Sequence, residues 1–211
     1  MGGFFVADVH SPGERPSGRW RTLRHLLADL DPLDARVEFV RLTLEAGGQA
    51  VPPRVAGSVV QLGVLARILA PAVAISAVDL GAVSLDPDEL WWQDDFGGAF
   101  ALSVAPAVSP DWPGAVVEEF NAVFAARYGV PLPSLWGNIA SGVNSAARQL
   151  ARARPTLVSS AWSAADAVLA DPRVEGGRLR AGEGFRRRSC CLIYQAAGSR
   201  AAVCGDCVLA G

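Results

Sequence analysis

Apolar positions recur at helical spacing along most of the chain. Trp20, Leu23, Leu26, Leu27 and Leu30 follow a 3.6-residue period, and Ser17 precedes them as an N-cap, which predicts a helix from there to about Leu30. Asp31-Pro32 reads as the start of a second helix and Gly47-Gly48 as its end. Val37, Phe39, Leu42 and Leu44 within it also suit a strand. Pro52-Pro53 opens an apolar segment over 54–70, which Pro71 either breaks or restarts. Segments 82–92 and 99–105 flank the polar turn Gln93-Asp94-Asp95-Phe96-Gly97-Gly98 and predict a β-hairpin. Helical patterns return at 114–128, 133–153 and 159–170. Residues 1–17, rich in Gly, Pro and charge, read as a loose arm, and Gly176-Gly177 with Gly182 and Gly184 as a flexible approach to the C-terminus. The fold class is therefore α+β, mainly α: a helical body with a small β-hairpin or sheet and a distinct C-terminal segment. No internal repeat or low-complexity tract interrupts it.

Composition narrows the function. The 211 residues are 51% hydrophobic and 19% charged, enough to bury a sizeable core in one domain. A net charge of −2 gives no bias toward nucleic acid, and no basic helix stands out. All 19 basic residues are arginine, which removes Schiff-base chemistry and a phosphate-loop lysine. No Gly-x-Gly-x-x-Gly motif is present. The most apolar stretch is Val59–Leu80, but its longest uncharged run, Ile68–Val78, is too short for a bilayer and reads as a core helix. Without a secretory n-region and h-region, the expectation is a soluble, cytoplasmic protein with no membrane span.

The chemistry concentrates in the last 22 residues. Cys190-Cys191, twelve residues, then Cys204-Gly205-Asp206-Cys207 hold all four cysteines. Disulfides belong in oxidising compartments, and adjacent cysteines seldom bridge without strain. Four thiolates also suit zinc, although its usual half-sites are two Cys-x2–4-Cys pairs rather than a direct Cys-Cys. An iron–sulfur cluster spreads its ligand positions over a larger volume and relaxes the demand on the adjacent pair. A Rieske centre needs two histidines as well, and His10 and His25 lie near the other terminus, where they read as exposed arm or helix residues.

The string Arg188-Ser189-Cys190-Cys191-Leu192-Ile193-Tyr194 with Cys204-Gly205-Asp206-Cys207 resembles the C-terminal signature of the FhuF-type ferric siderophore reductases. That family binds a [2Fe–2S] cluster through Cys-Cys-x10-Cys-x2-Cys; here the middle gap is twelve. Leu135-Trp136-Gly137-Asn138-Ile139-Ala140 is similar to a Leu-Trp-Gly-Asn stretch in the family's last long helix. The resemblance implies a siderophore-reductase-like body over 1–177 and a [2Fe–2S]-binding segment over 178–211, together one compact unit. It also implies cluster ligation by Cys190, Cys191, Cys204 and Cys207 and one-electron reduction of a ferric siderophore to release Fe(II). The electron would come from an external donor such as a ferredoxin or a ferredoxin reductase. Outer-sphere electron transfer needs no catalytic acid or base, and none is expected. A non-catalytic redox or iron sensor and a zinc-stabilised four-cysteine binding domain are the alternatives.

Six arginines and two acids lie between Arg178 and Gly211. Arg186, Arg187 and Arg188 would favour the reduced, more anionic cluster and steer an anionic chelate or acidic donor; the plainer reading is a solvated loop run. Trp136 reads as core packing more than as a siderophore platform, and Asn138 as a residue that orients a loop or marks a helix bend. Trp91 and Trp92 should face opposite sides of the hairpin, one of them into the core.

Overall fold

The computed structural model describes residues 3–93, 100–109, 112–196 and 204–209. Six helices form the body: α1 (Leu23–Ala28), α2 (Asp31–Glu45), α3 (Pro53–Ala77), α4 (Ala115–Tyr128), α5 (Leu132–Ala153) and α6 (Val158–Leu169). Six short strands accompany them: β1 (Asp8–Val9), β2 (Arg21–Thr22), β3 (Ala82–Val83), β4 (Trp91–Trp92), β5 (Leu102–Val104) and β6 (Pro106–Ala107).

Helix α3 is the axis of the molecule. Being apolar nearly all round, it must be covered on every side, and α2, α4, α5 and α6 pack around it. It runs unbroken through Pro71, so the segments before and after that residue form one 25-residue helix. That length and composition would suffice to cross a bilayer, contrary to the short span expected from the uncharged run. The helix is instead mostly buried inside the protein, as a core helix should be. Its buried polar side chains Gln61 and Arg67 are satisfied there. Gln61 donates to Asn121 Oδ1 at 2.8 Å, and Arg67 donates to the carbonyls of Phe100 (3.0 Å), Phe4 (3.2 Å) and Val6 (2.6 Å).

Arg67 thereby corrects the reading of a loose N-terminal arm. Residues 3–9 are tied down by its guanidinium, and β1 pairs in parallel with β5. His10 follows, with its Nδ1 2.9 Å from Ser103 Oγ and its ring edge-on to Trp91, so it is half-buried rather than a free arm residue. The first helix is shorter than its period predicts. Arg21–Thr22 instead form β2 against Trp91–Trp92, and Thr22, not Ser17, caps α1 by accepting from the His25 amide. The alternating stretch 37–44 is helical, and its alternate apolar members Phe39 and Leu42 stand exposed.

The hairpin forms between β4 and β5, in register Trp91↔Ser103 and Trp92↔Leu102; residues 94–98 of its turn lie outside the described residues. The larger sheet runs β1-β5-β4-β2, and β3 pairs separately with β6. Trp92 is fully buried against Phe100, whereas Trp91 is half-exposed beneath Arg15. Helices α4–α6 lie within a residue or so of their predicted spans. Gly129, at φ 67°, ends α4 in the left-handed region that favours glycine, and Pro131 leads into α5. Leu179 and Phe185 of the C-terminal segment join the same apolar core as the helices.

Candidate metal centre

Two loops carry the cysteines. Cys190 and Cys191 lie on the irregular chain that returns across the start of α5, and Cys204 and Cys207 flank a tight turn closed by the Cys207 amide to the Cys204 carbonyl at 3.1 Å. All four are free thiols. Cys191 and Cys207 are buried, while Cys190 and Cys204 are partly exposed. The Sγ atoms of Cys191 and Cys204 approach to 3.4 Å, so the two loops meet sulfur to sulfur. Backbone amides reach the sulfurs: Leu192 N–H points at Cys190 Sγ (3.3 Å) and Leu209 N–H at Cys207 Sγ (3.2 Å), and the Ile193 and Asp206 amides act on Cys191 and Cys204. Leu192 sits at φ 68°, an uncommon conformation for a branched residue, and this bend turns its amide back toward Cys190.

Electrostatics divides the central pair. The Cys191 thiol is held below its ordinary value, first by its hydrogen bond with Cys204 and then, against the cost of burial, by the Ile193 amide and the Arg187 guanidinium. The same pairing, with burial added, pushes the Cys204 thiol up. Burial also raises Cys190.

A connected polar network holds these loops in place. Arg187 is only 2% exposed. It donates to Asn138 Oδ1 (2.7 Å), to the Ser134 carbonyl (2.9 Å) and to Ser189 Oγ (3.2 Å). Its amide donates to the Asp206 carbonyl at 3.2 Å, which ties the first cysteine loop to the second. Asn138 Nδ2 in turn donates to Ser58 Oγ, to the Ser58 carbonyl and to Gln61 Oε1, at 3.0, 3.0 and 2.9 Å. Ser58 Oγ closes the circuit by donating to the Cys191 carbonyl at 3.0 Å. Glu175 accepts from the amides of Arg188 (2.5 Å) and Ser189 (2.7 Å) and from the Ser189 hydroxyl.

This network explains the Leu135-Trp136-Gly137-Asn138 motif. Asn138 is the hub, and Gly137 leaves the gap into which the loop seats. A Cβ there would overlap Ser189 Oγ and lie 2.6 Å from both Arg187 Nη2 and Glu175 Oε1. Trp136 is not enclosed in the core. One edge packs on it, and the other lines a cavity beneath the Arg173 guanidinium, 5.4 Å from the ring centroid. Arg186, Arg187 and Arg188 do not act as one solvated run. Arg187 is an internal anchor, whereas Arg186 and Arg188 are exposed, with Arg186 donating to the Cys207 carbonyl at 3.2 Å.

Glu175, Ser58 and Gln61 had no motif to mark them; the packing of α3 on α5 brings Ser58 and Gln61 to the loop, and the turn after α6, packed on α5, brings Glu175. His10 and His25 belong to the other end of the chain and take no part. Of the twelve residues between Cys191 and Cys204, the first five are described: Leu192 and Ile193 pack with Ala196 onto Val51 and Val55 at the start of α3. Residues 197–203 and Arg200 lie outside the described residues.

The donor set fits a thiolate-bound cluster: four free sulfurs, amide N–H groups directed at them, and a buried guanidinium that favours the anion. Among the described residues, no three His, Cys, Asp or Glu side chains converge as on one metal ion.

Comparison with known proteins agrees. Residues 187–209 match the family model described as the FhuF 2Fe-2S C-terminal domain. The matched span begins at the buried arginine and includes all four cysteines. No curated protein and no solved structure shows significant similarity to the chain.

Proposed function

We propose, from the premise that residues 187–209 are a [2Fe–2S] domain of the FhuF kind, that the protein is a ferric siderophore reductase of the cytoplasm. Cys190, Cys191, Cys204 and Cys207 hold the cluster. The observation that carries this reading is the meeting of two cysteine loops on one buried arginine, within the segment that matches the family. When bound, a [2Fe–2S] cluster supplies a one-electron couple. Hard siderophore oxygens suit Fe(III) and hold Fe(II) far less tightly, so delivery of one electron releases the metal.

The chain's own residues prepare the site for that task. Buried Cys191 and Cys207 face the protein interior, and half-exposed Cys190 and Cys204 give the outer edge through which a chelate or a donor would be met. Amides and Arg187 stabilise negative charge on sulfur, which favours the reduced state. The network through Asn138, Ser58 and Glu175 fixes both loops, so little reorganisation accompanies electron transfer. The electron would come from a separate protein such as a ferredoxin or a ferredoxin reductase.

The test is direct. Cluster-loaded protein, reduced with dithionite under argon and freed of excess reductant, is mixed with ferric hydroxamate or ferric citrate and an Fe(II) trap. One trapped Fe(II) per cluster oxidised is expected. A cluster that stays reduced with every chelate would overturn the reading and favour a sensor.

A further inference from the structure

Beside the cysteine loop lies a cavity of about 410 Å³, lined by Leu132, Pro133, Trp136, Arg173, Glu175, Arg188 and Ser189. Ser189, part of the lining, immediately precedes Cys190 in the chain, so the cavity lies along the first cysteine loop. Its volume falls in the range of small-molecule sites. Leu132, Pro133 and the Trp136 face make an apolar wall at the start of α5. Leu132 is itself half-exposed, with no protein packed over it.

The charges around this wall are not equivalent. Arg173 is consumed: it pairs with Asp171 at 2.7 Å and with Glu118, and it covers the Trp136 ring. Glu175 is consumed too, since its oxygens accept from two amides and a hydroxyl. Arg188 differs. Its amide is fixed by Glu175, but its guanidinium has no hydrogen bond or ion pair among the described residues, and it stands exposed at the rim. A cation with an anchored backbone and an unused planar fork beside an apolar wall suits a ligand carboxylate.

We propose that this cavity is the chelate site, and that it takes ferric chelates carrying a pendant carboxylate, apolar face against Trp136 and Leu132 and carboxylate on Arg188. This rests on the reductase reading and adds to it where the substrate sits and which feature of it is recognised. Apolar contact supplies affinity common to all chelates that fit; Arg188 supplies the discrimination.

Gallium(III) separates binding from chemistry, because it forms chelates like those of Fe(III) but accepts no electron here. The probes are the gallium complexes of a linear trihydroxamic acid in two forms, one ending in a succinyl carboxylate and one in a neutral acetyl group. Binding to the cluster-loaded protein is read by calorimetry. The wild type should bind the carboxylate form roughly tenfold more tightly, as one exposed charge-assisted contact allows. Arg188→Gln should abolish that preference while leaving the neutral form unchanged, and Trp136→Leu should weaken both forms equally. Equal affinity of the wild type for the two forms, or an equal effect of Arg188→Gln on both, overturns the proposal. The single-turnover assay with the ferric counterparts tells the two readings apart. Binding as predicted without Fe(II) release refutes the reductase and keeps the cavity. Fe(II) release at wild-type efficiency from the Arg188→Gln, Trp136→Leu double variant refutes the cavity and keeps the reductase.

Discussion

Gly137→Ala is the most revealing single change in the body of the protein. In an ordinary helix interior, alanine is more stable than glycine by about 0.5–1 kcal/mol. At position 137 the added methyl collides with Ser189 Oγ and crowds Arg187 Nη2 and Glu175 Oε1 at 2.6 Å. These atoms cannot all withdraw without breaking bonds. Hydrogen bonds to charged groups contribute about 1.5–3 kcal/mol each. Losing the Arg187–Ser189 and Glu175–Ser189 contacts, offset by the propensity gain, gives a net destabilisation of about 3 kcal/mol. For a chain of this size that lowers Tm by about 6–12 °C. The assay is thermal unfolding of the cluster-loaded protein by circular dichroism, with visible absorbance to follow the cluster. Gly63→Ala on α3 is the matched control, since a Cβ there meets nothing within 4 Å, and it should be neutral or stabilising. A Gly137→Ala protein as stable as the wild type, with equal cluster retention, would refute the idea that the loop seats on this glycine.

Three further outcomes are expected. Glu175→Gln removes a charged acceptor from the Arg188 and Ser189 amides; it should cost roughly 1.5–3 kcal/mol and speed loss of cluster iron to a chelator, measured by bleaching of the visible bands. Arg67→Met leaves three carbonyls without their donor, so tryptic cleavage after the exposed Arg19 should accelerate while the helical core survives, as mass spectrometry would record. Asp34, which accepts from Arg127 at 2.6 Å and from the Tyr128 hydroxyl at 2.8 Å, is held below the usual carboxylate range chiefly by the Arg127 hydrogen bond. Its contribution is therefore fully present above its unfolded pKa and lost as pH falls through the lower folded value. Asp34→Asn should cost about 0.5–1 kcal/mol near neutrality for a pair this exposed, and urea titrations at several pH values should show the difference beginning to shrink below about pH 4 and vanishing only below the lower folded value.

Local pattern and long-range packing divide what could be read in advance. Helices α4, α5 and α6 have strong periodicity and end at Gly129, Pro131 and similar signals, so their spans were legible. The sheet was only partly so. Its strands are two or three residues long, and the pairing of Asp8–Val9 with Ser103–Val104 spans most of the first half of the chain; no local pattern encodes it. The first helix was overcalled because Trp20 shares the helical period, yet its indole donates to the Ser17 carbonyl at 3.0 Å and its neighbours join β2. At the centre, the four cysteines announced themselves by composition and spacing. Arg187 did not, because a run of three arginines looks the same whether or not the middle one turns inward. Asn138 was legible as an orienting residue only in general terms; its partner loop lies 49 positions away. Glu175 and Ser58 carried no signal at all.

One set of spectra tests the cluster and its four ligands. Protein purified without oxygen should be red-brown, contain two irons and two inorganic sulfides per chain, and give on reduction the paramagnetic resonance signal of a one-electron-reduced [2Fe–2S] centre. Single Cys→Ser changes at 190, 191, 204 and 207 should each abolish or shift that signal. A colourless protein holding one zinc, or an unaltered signal in any of the four variants, would contradict it.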